Sequence, residues 1–505
     1  MTWFAFFLSF VVWFNLAPFS TAIAADFGLE VGQIRTIAIC NVALTVPARI
    51  IIGMLLDKYG PRLTYSLLLM YAAVPCIIFA SAQTFNQLVV GRLLMGIVGA
   101  GFVIGIRMTA EWFPPKEIGL AEGIYGGWGN FGSAFSAFTL VAVAGALNFI
   151  PGAFQVPDGP LLNWRFVIAA TGIIAALYGC LYYFNVQDTP PGKVYQRPSS
   201  TRGIEVTTVK DFWGLMLMNL PLTGILIVLA WRLKKVGFLN PGTFGLVVAC
   251  FIALYLFQAY NCWAVNKDLL SGAKRYPAED RYKFKQVAIL ELTYIVNFGS
   301  ELAVVSMLPT FFETTFGLPK AMAGMLAASY AFMNLVARPG GGLISDKLGS
   351  RKITMGVLTL CMGLGYLVMS SIPAISARVG QGSTPMVILA VILTMACSFF
   401  VQAGEGSTFA IVPLIKRRVT GQVAGNVGAY GNVGAVAYLT LYSLVPEGDV
   451  GNVIFFQTLG IASIIVAFLC FFILEEPQGS FAEAHEGEDL VVPGGSSVPD
   501  GSYIG

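Results

Sequence analysis

Stretches of twenty or more mainly apolar residues follow one another along nearly the whole chain, separated by short segments where Gly, Pro and charged residues gather. About 20 such residues make one helical crossing of a bilayer. By apolar length and breaker residues the runs predict helices near 3–25, 34–56, 63–82, 87–111, 119–148 and 164–186, and six more near 287–311, 320–345, 353–372, 386–411, 421–445 and 452–474. Between the two sixes, 213–232 and 242–265 are also long enough to span. The expected fold class is an all-α polytopic membrane protein with twelve core helices and two additional central transmembrane helices.

Composition sharpens this reading. Of 505 residues 56% are apolar and 11% charged, against roughly 25% charged in an ordinary soluble domain, which argues against a soluble enzyme. The first run, from Trp3 to about Ala25, is longer than a signal-peptide core and lacks a basic leader, so it is expected to remain as a helix. All eight cysteines lie in apolar runs and read as small buried apolar residues, without a disulfide framework or a metal site. No metal-ligand cluster, nucleophile motif or nucleotide-binding loop supports an enzyme, and no cofactor is implied. Residues 475–505, with seven acidic residues and a Gly/Ser/Pro finish, read as a disordered acidic cytoplasmic tail.

The net charge of +3 reflects topology, since the basic residues form no nucleic-acid patch. With both termini inside, the cytoplasmic connections collect Lys58, Arg62, Lys116, four basic residues of 193–210, six of 267–285, Lys347, Arg351, Lys352 and Lys416 to Arg418. The other side holds few, notably Arg35, Lys320 and Arg378, with Arg165 at a helix start. This fits a cytoplasmic (inner) or plasma membrane with both termini cytoplasmic. Arg232, Lys234 and Lys235 resist the pattern, because a full hairpin of 213–232 and 242–265 turns them outward; a re-entrant or interfacial pair is the alternative.

Two patterns occur twice. Arg49, Gly53, Asp57, Gly60 and Arg62 recur at an offset of 289 as Arg338, Gly342, Asp346, Gly349 and Arg351. Gly123, Gly126, Gly129, Asn130 and Gly132 recur 302 positions later as Gly425, Gly428, Gly431, Asn432 and Gly434. The chain therefore divides into an N-terminal half, 1–187, a central insert, 188–286, and a C-terminal half, 287–474. In repeat transporters the substrate lies near the midplane between the halves. The segments GMLLDKYGPR and GLISDKLGSR resemble the signature loop of the major facilitator superfamily, which implies two pseudo-symmetric six-helix halves. Physically, Gly53 and Gly342 allow close helix approach, while Asp57 and Asp346, with Arg62 and Arg351, can cap or bridge neighbouring helix ends and hold one side closed.

Arg49 lies eight residues before Asp57, roughly 12 Å deeper along the same helix, and Arg338 stands at the equivalent depth before Asp346. An uncompensated arginine there costs at least about 2.5–3.5 kcal/mol, and two facing each other repel. Either a carboxylate on a nearby helix neutralises each, or one small anion sits between two planar guanidinium forks. Arg92 and Arg107 read as structural. Glycines at three-residue spacing bare one face of each repeated helix. Asn130 and Asn432 on those faces can donate to an anion or bond between helices.

AEGIYGGWGNFGSAF and AGNVGAYGNVGAV look like the two nitrate-signature segments of the nitrate/nitrite porter family, and LVARPGGGLISD resembles that family's eighth core helix. The resemblance implies that Arg49 and Arg338 clamp nitrate or nitrite beside Asn130 and Asn432. It also implies that Phe102 packs on the flat ion and that Tyr294 hydrogen-bonds it. Glu301 and Glu405, in segments similar to proton-coupled members, are the candidates for proton coupling; each reads equally as half of a structural ion pair. The expected activity is import of nitrate and nitrite by alternating access as proton symport, in a monomeric transport unit whose partners are the anion, protons and the lipid bilayer. A nitrate/nitrite exchanger and a membrane anion sensor remain alternatives.

Overall fold

The computed structural model describes residues 1–157, 159–198, 202–277, 281–380 and 383–479. Six long helices form a first group: α1 (Thr2–Phe27), α2 (Val31–Tyr59), α3 (Pro61–Ala80), α4 (Phe85–Trp112), α5 (Ile118–Ala146) and α6 (Trp164–Asn185). Two follow in the insert, α7 (Val209–Lys235) and α8 (Pro241–Val265). A second group of six comprises α9 (Phe284–Phe316), α10 in two pieces (Lys320–Phe332 and Asn334–Lys347), α11 (Arg351–Val379), α12 (Thr384–Phe409), α13 (Thr420–Tyr442) and α14 (Asp449–Ile473). A short antiparallel pair, β1 (Phe154–Gln155) with β2 (Leu161–Leu162), decorates the α5–α6 connection. The all-α class is as expected, and the face at which Met1 and the C-terminal end of α14 lie is called the terminal face below.

Twelve helices among the described residues are long and apolar enough to cross a membrane, but they are not the twelve of the two six-helix groups. The insert helices α7 and α8 are among them, whereas α10 and α13 are not. Glycine and asparagine dilute α13, and α10 is interrupted at Met333 and carries Arg338, Asp346 and Lys347. Both are interior helices, so neighbouring protein substitutes for the side-chain hydrophobicity that a lipid-facing helix needs.

The two groups meet along two seams, α2 against α13 and α5 against α10. Glycine makes them possible. A Cβ on Gly53 would stand 3.4 Å from the Gly425 Cα, and one on Gly123 would stand 2.7 Å from the Pro339 Cα, so side chains there would prise the seams open.

The insert forms a full hairpin. Helix α7 packs on both α2 and α13, while α8 packs on α7 and buries none of its apolar stretch. Arg232 therefore stands at the face away from the termini, where its Nη1 donates to Ser443 Oγ at 3.1 Å, and Lys234 lies 4.9 Å from the centre of the Phe244 ring. Protein and aromatic partners accommodate the three cations that charge placement alone would have kept on the other side.

Two expectations need correction. The tail begins later than Glu475: that carboxylate pairs with Lys283 and Lys285, each at 2.8 Å, and Glu476 accepts from the backbone N–H groups of Arg351 and Lys352 at 3.0 and 3.1 Å, capping α11. The rest of the tail, 480–505, including His485, lies outside the described residues. All eight cysteines are free, but Cys180 and Cys250 are exposed on the outer surface of the bundle instead of buried.

Candidate functional site

Arg49 and Arg338 come from opposite halves and reach the same aromatic ring. The Arg49 Cζ lies 5.4 Å and the Arg338 Cζ 5.1 Å from the centre of Phe102, and Phe298 adds a second ring 5.1 Å from Arg49. Both arginines are buried. A ring face attracts a cation most where water is excluded, so Phe102 holds two like charges near one point.

Local backbone irregularity supplies the partners of Arg49. The segment Gly96–Ala100 of α4 is a 3-10 turn that ends two residues before Phe102. Its Gly96 carbonyl accepts from Thr45 Oγ1 at 2.6 Å and its Gly99 carbonyl from Arg49 Nε at 3.4 Å. Across the seam, Arg49 Nη1 donates to the Gly428 carbonyl at 2.5 Å. Among the described residues Nη2 has no partner, and no carboxylate pairs with this arginine. One buried cationic donor is left open, which a protein tolerates only at a cost unless a ligand fills it.

Arg338 is different. Its Nη1 pairs with Glu405 at 2.5 Å and its Nη2 donates to the Tyr294 hydroxyl at 3.2 Å. The neutralising carboxylate weighed as the alternative for both arginines is thus present for one. Glu405 also lies near enough to Glu301 for the two carboxyl groups to repel each other when both are charged. Glu301 Oε1 in turn accepts from Asn334 Nδ2 at 2.6 Å and from Gln402 Nε2 at 3.4 Å. The two candidate acids are thus neighbours on the same side of Arg338, one paired with it directly and the other held by Asn334 and Gln402.

The floor of this region is a set of aromatics in which Phe102 and Tyr294, named from the sequence, are joined by three others. Phe102 stacks on Tyr294 at 6.1 Å and on Tyr125 at 6.2 Å, Tyr294 stacks on Phe298 at 5.0 Å, and Phe409 meets Phe102 and Tyr294 edge-on at 4.6 and 4.9 Å. Tyr294 is followed by the π-helical turn Ile295–Gly299, a type of distortion common at functional sites. Phe298, Phe409 and Tyr125 lie within the segments that carry the family resemblance, but nothing in the sequence singled them out there.

The asparagines are less directly engaged. Asn432 is buried and spends its Nδ2 on the Val42 carbonyl at 3.1 Å across the α2–α13 seam, leaving Oδ1 unfilled. Asn130 is buried and, among the described residues, neither amide atom has a hydrogen-bond partner and no hydrogen bond ties it to the arginines.

The signature-loop residues act at the terminal face. Asp57 accepts from the N–H groups of Gly421 and Gln422 at 3.0 and 2.9 Å, capping α13 of the other half. Asp346 does the same to α5, accepting from Gly119 and Leu120 at 3.1 and 2.7 Å, and pairs with Arg351 at 2.7 Å. An acid at a helix N-terminus satisfies otherwise orphaned donors and the positive end of the helix dipole. Gly53 and Gly342 give both helices room to approach. Arg62 departs from the symmetry: it bonds at the end of its own half and the start of the insert, donating to the Tyr183 carbonyl at 2.8 Å and, through its backbone N–H, to Asp188 at 2.7 Å.

Arg92 and Arg107 are structural, as expected. Arg92 donates to the Trp13 carbonyl at 2.7 Å and to Asn15 at 3.2 Å, and Arg107 pairs with Glu111 at 2.8 Å. Between the halves on the terminal face a cavity of about 1330 Å³ reaches inward to Tyr125, whose hydroxyl donates to the Phe102 carbonyl at 3.0 Å. Among the described residues no cluster of His, Cys, Asp and Glu could hold a metal ion.

A family model described as the Major Facilitator Superfamily matches residues 2–266 and 290–498. The chain belongs to the major facilitator superfamily. Solved members share the fold at low identity: the crystal structure of the human organic anion transporter MFSD10 aligns with a TM-score of 0.59 at 13% identity, covering 93% of this chain and 97% of its own. The proton:xylose symporter XylE aligns at 0.58 and 15%, covering 95% and 96%. Sequence relatives are closer. The nitrate/nitrite transporter NrtP of a Picosynechococcus species is 70% identical across 97% of this chain and 94% of its own, and that of Nostoc punctiforme 54% identical across 98% and 96%. The probable nitrate/nitrite antiporter NarK1 of Thermus thermophilus is 25% identical across 85% and 80%. The protein is thus an integral membrane transport protein of this superfamily and not an enzyme.

Proposed function

We propose that the chain imports nitrate, and nitrite, by alternating access coupled to proton entry, with Arg49 and Arg338 as the anion clamp. The observation that carries this reading is the convergence of the two guanidinium groups on the Phe102 ring, one of them with an open donor and no carboxylate partner. A flat, monovalent, weakly hydrated anion suits guanidinium forks and aromatic faces better than a multivalent one does. The names of the NrtP relatives favour the same cargo.

The carboxyl pair favours symport. For the anion to take both nitrogens of the Arg338 fork, Glu405 must yield. A proton on the Glu301–Glu405 pair leaves one fewer negative charge competing for the guanidinium, so anion and proton enter together at little electrostatic cost. Tyr294, which touches Arg338, is the neutral donor beside the clamp, and the unpartnered Asn130 amide is a further donor for the anion. The halves 1–187 and 287–474 rock about this point, with both termini in the cytoplasm as the basic terminal face favours. The insert 188–286 rides on the α2–α13 seam.

Reconstituted protein in liposomes tests the proposal. Nitrate uptake driven by an inward proton gradient is expected for the wild type and lost in Arg49→Lys and Arg338→Lys, which keep the charge without the fork. Uptake that needs trapped nitrite and ignores the proton gradient would make the protein an exchanger, the reading that the NarK1 name favours. Nitrate binding without transport would make it a sensor.

A further inference from the structure

The repeat breaks its own symmetry at the terminal face. On the α5–α10 seam the signature-loop Arg351 crosses between the halves, its Nη2 donating to the Pro115 carbonyl at 2.6 Å. Pro115 stands four residues before Gly119, the amide that Asp346 caps. The position 302 after Pro115 is Arg417, four residues before Gly421, the amide that Asp57 caps. By symmetry the Arg417 carbonyl belongs to Arg62, the counterpart of Arg351. Arg62 turns instead to Tyr183 and Asp188. The Arg417 carbonyl accepts from Arg107 Nη1, on α4, and Arg417 Nη2 donates back to the Ala110 carbonyl of that helix at 3.3 Å.

The insert sets the pose of Arg107. Its leading segment passes beside the guanidinium: the Gln196 carbonyl accepts from Nη2 at 2.8 Å, and the Tyr195 ring centre lies 4.8 Å from Cζ. The Tyr195 hydroxyl donates to the Leu56 carbonyl at 2.9 Å, which pins the ring over the end of α2. Glu111, one turn further along α4, pairs with the same guanidinium at 2.8 Å. An arginine side chain has many rotamers, and partners on several sides select the one in which Nη1 points across the seam. The insert is itself anchored. Gly203–Thr207 is buried, and Asn266, just past α8, accepts from the Val206 N–H at 2.9 Å and donates to the Ile204 carbonyl at 3.0 Å. From this block Glu205 pairs with Arg418 at 3.0 Å, next to the carbonyl that Arg107 takes.

From this geometry we infer that the leading segment of the insert is a latch on the terminal face, in which Tyr195 and the Gln196 carbonyl are positioning groups that make Arg107 the cross-seam donor in place of Arg62. The latch grips α2 and α4 of the first half through residues 195 and 196, and the connection before α13 of the second half through Glu205. Parting of the α2–α13 seam must break the bond from Arg107 to the Arg417 carbonyl, so whatever holds Arg107 in place also stabilises the closed state. The inference concerns the gate and not the cargo, and it stands whichever anion is carried. It gives the insert a task that a plain twelve-helix plan leaves to the signature-loop arginine.

Hydrogen exchange of the full chain in lipid nanodiscs, without nitrate, tests the latch. The Gly421 and Gln422 amides, protected by the Asp57 cap, report opening of the seam. Tyr195→Leu should speed their exchange about three- to tenfold, the worth of a partly desolvated cation–π contact, while Tyr195→Phe, which keeps the ring, should stay within about twofold of the wild type. Arg107→Gln should speed it further. A residue that acts through Arg107 has nothing left to act on in that background, so the double variant with Tyr195→Leu should exchange no faster than Arg107→Gln alone. Combined with Arg351→Gln, on the other seam, the effect of Tyr195→Leu should multiply. Exchange in Tyr195→Leu within twofold of the wild type, with the fold intact, overturns the inference, as does a double variant with Arg107→Gln in which the two effects multiply. Should Tyr195→Leu fail to fold, Arg107→Gln decides alone: acceleration supports the latch, and exchange at the wild-type rate overturns it.

Discussion

Replacing Asp57 by Asn perturbs the terminal gate with little change in volume. The carboxylate accepts from two consecutive N–H groups at the start of α13, 3.0 and 2.9 Å away. An Asn side chain offers one acceptor and one donor there, so at least one N–H loses its partner and the negative charge disappears from the helix end. A hydrogen bond to a charged group contributes about 1.5–3 kcal/mol and a charge at a helix terminus about 0.3–1 kcal/mol, so the closed face should lose about 2–4 kcal/mol. At 1.4 kcal/mol per decade, that is roughly a 30- to 700-fold shift towards the open face. Hydrogen exchange at Gly421 and Gln422 in nanodiscs measures it. Asp346→Asn is the symmetry control and should act first on Gly119 and Leu120. Exchange at Gly421 and Gln422 within about threefold of the wild type in Asp57→Asn, with the protein folded, would refute the idea that the cap holds this face shut.

Phe102→Leu keeps the volume and removes the ring that both guanidinium groups face; nitrate affinity measured by titration should fall about 5- to 30-fold, the worth of about 1–2 kcal/mol of cation–π contact. Glu301→Gln should retain nitrate binding and counterflow exchange but lose uptake driven by a pH gradient, so pH-driven uptake at the wild-type rate would contradict the assignment. In the insert, Glu205 opposes Lys274 and Arg418, each at 3.0 Å; burial alone would raise its carboxyl, but the Tyr276 hydroxyl, Lys274 and Arg418 outweigh it and hold it below the ordinary range. A carboxyl lowered in this way stabilises the fold above its unfolded value of about 4.3 and loses that contribution as pH falls through the folded value. Thermal unfolding should therefore show Glu205→Gln less stable than the wild type at pH 6 to 7, with the gap closing towards about pH 3.

The repeats at offsets of 289 and 302 made the paired arginines and bare helix faces legible, because a twofold pattern in one chain pairs each residue with its counterpart. Hydropathy was a poorer guide to the architecture. It ranks the insert helices above α10 and α13, the two that carry Arg338 and Asn432, since interior helices can be polar where lipid-facing ones cannot. Phe298, Phe409 and Tyr125 stand in the segments that carry the family resemblance yet were hidden, because an aromatic has the same pattern whether it faces core, lipid or a charge. Glu405 was named as one half of an ion pair but not matched to Arg338, because contact between α10 and α12 has no sequence spacing to reveal it. The Gly96–Ala100 turn, whose Gly99 carbonyl meets Arg49, likewise follows from packing rather than local propensity.

The weak hydropathy of α10 and α13 has a consequence for how the protein is made. A nascent helix with Arg338 and Asp346, or one interrupted by Gly and Asn, gains little by entering lipid alone and must be carried in beside its neighbours α9, α11, α12 and α14. Until α13 arrives, Arg49 lacks the Gly428 carbonyl and Asp57 has no helix to cap. The first six helices thus wait in the bilayer with a cation and an acid unmatched, a state suited to capture by quality-control proteases. Synthesis of the penultimate helix is the step at which the chain becomes a completed membrane protein.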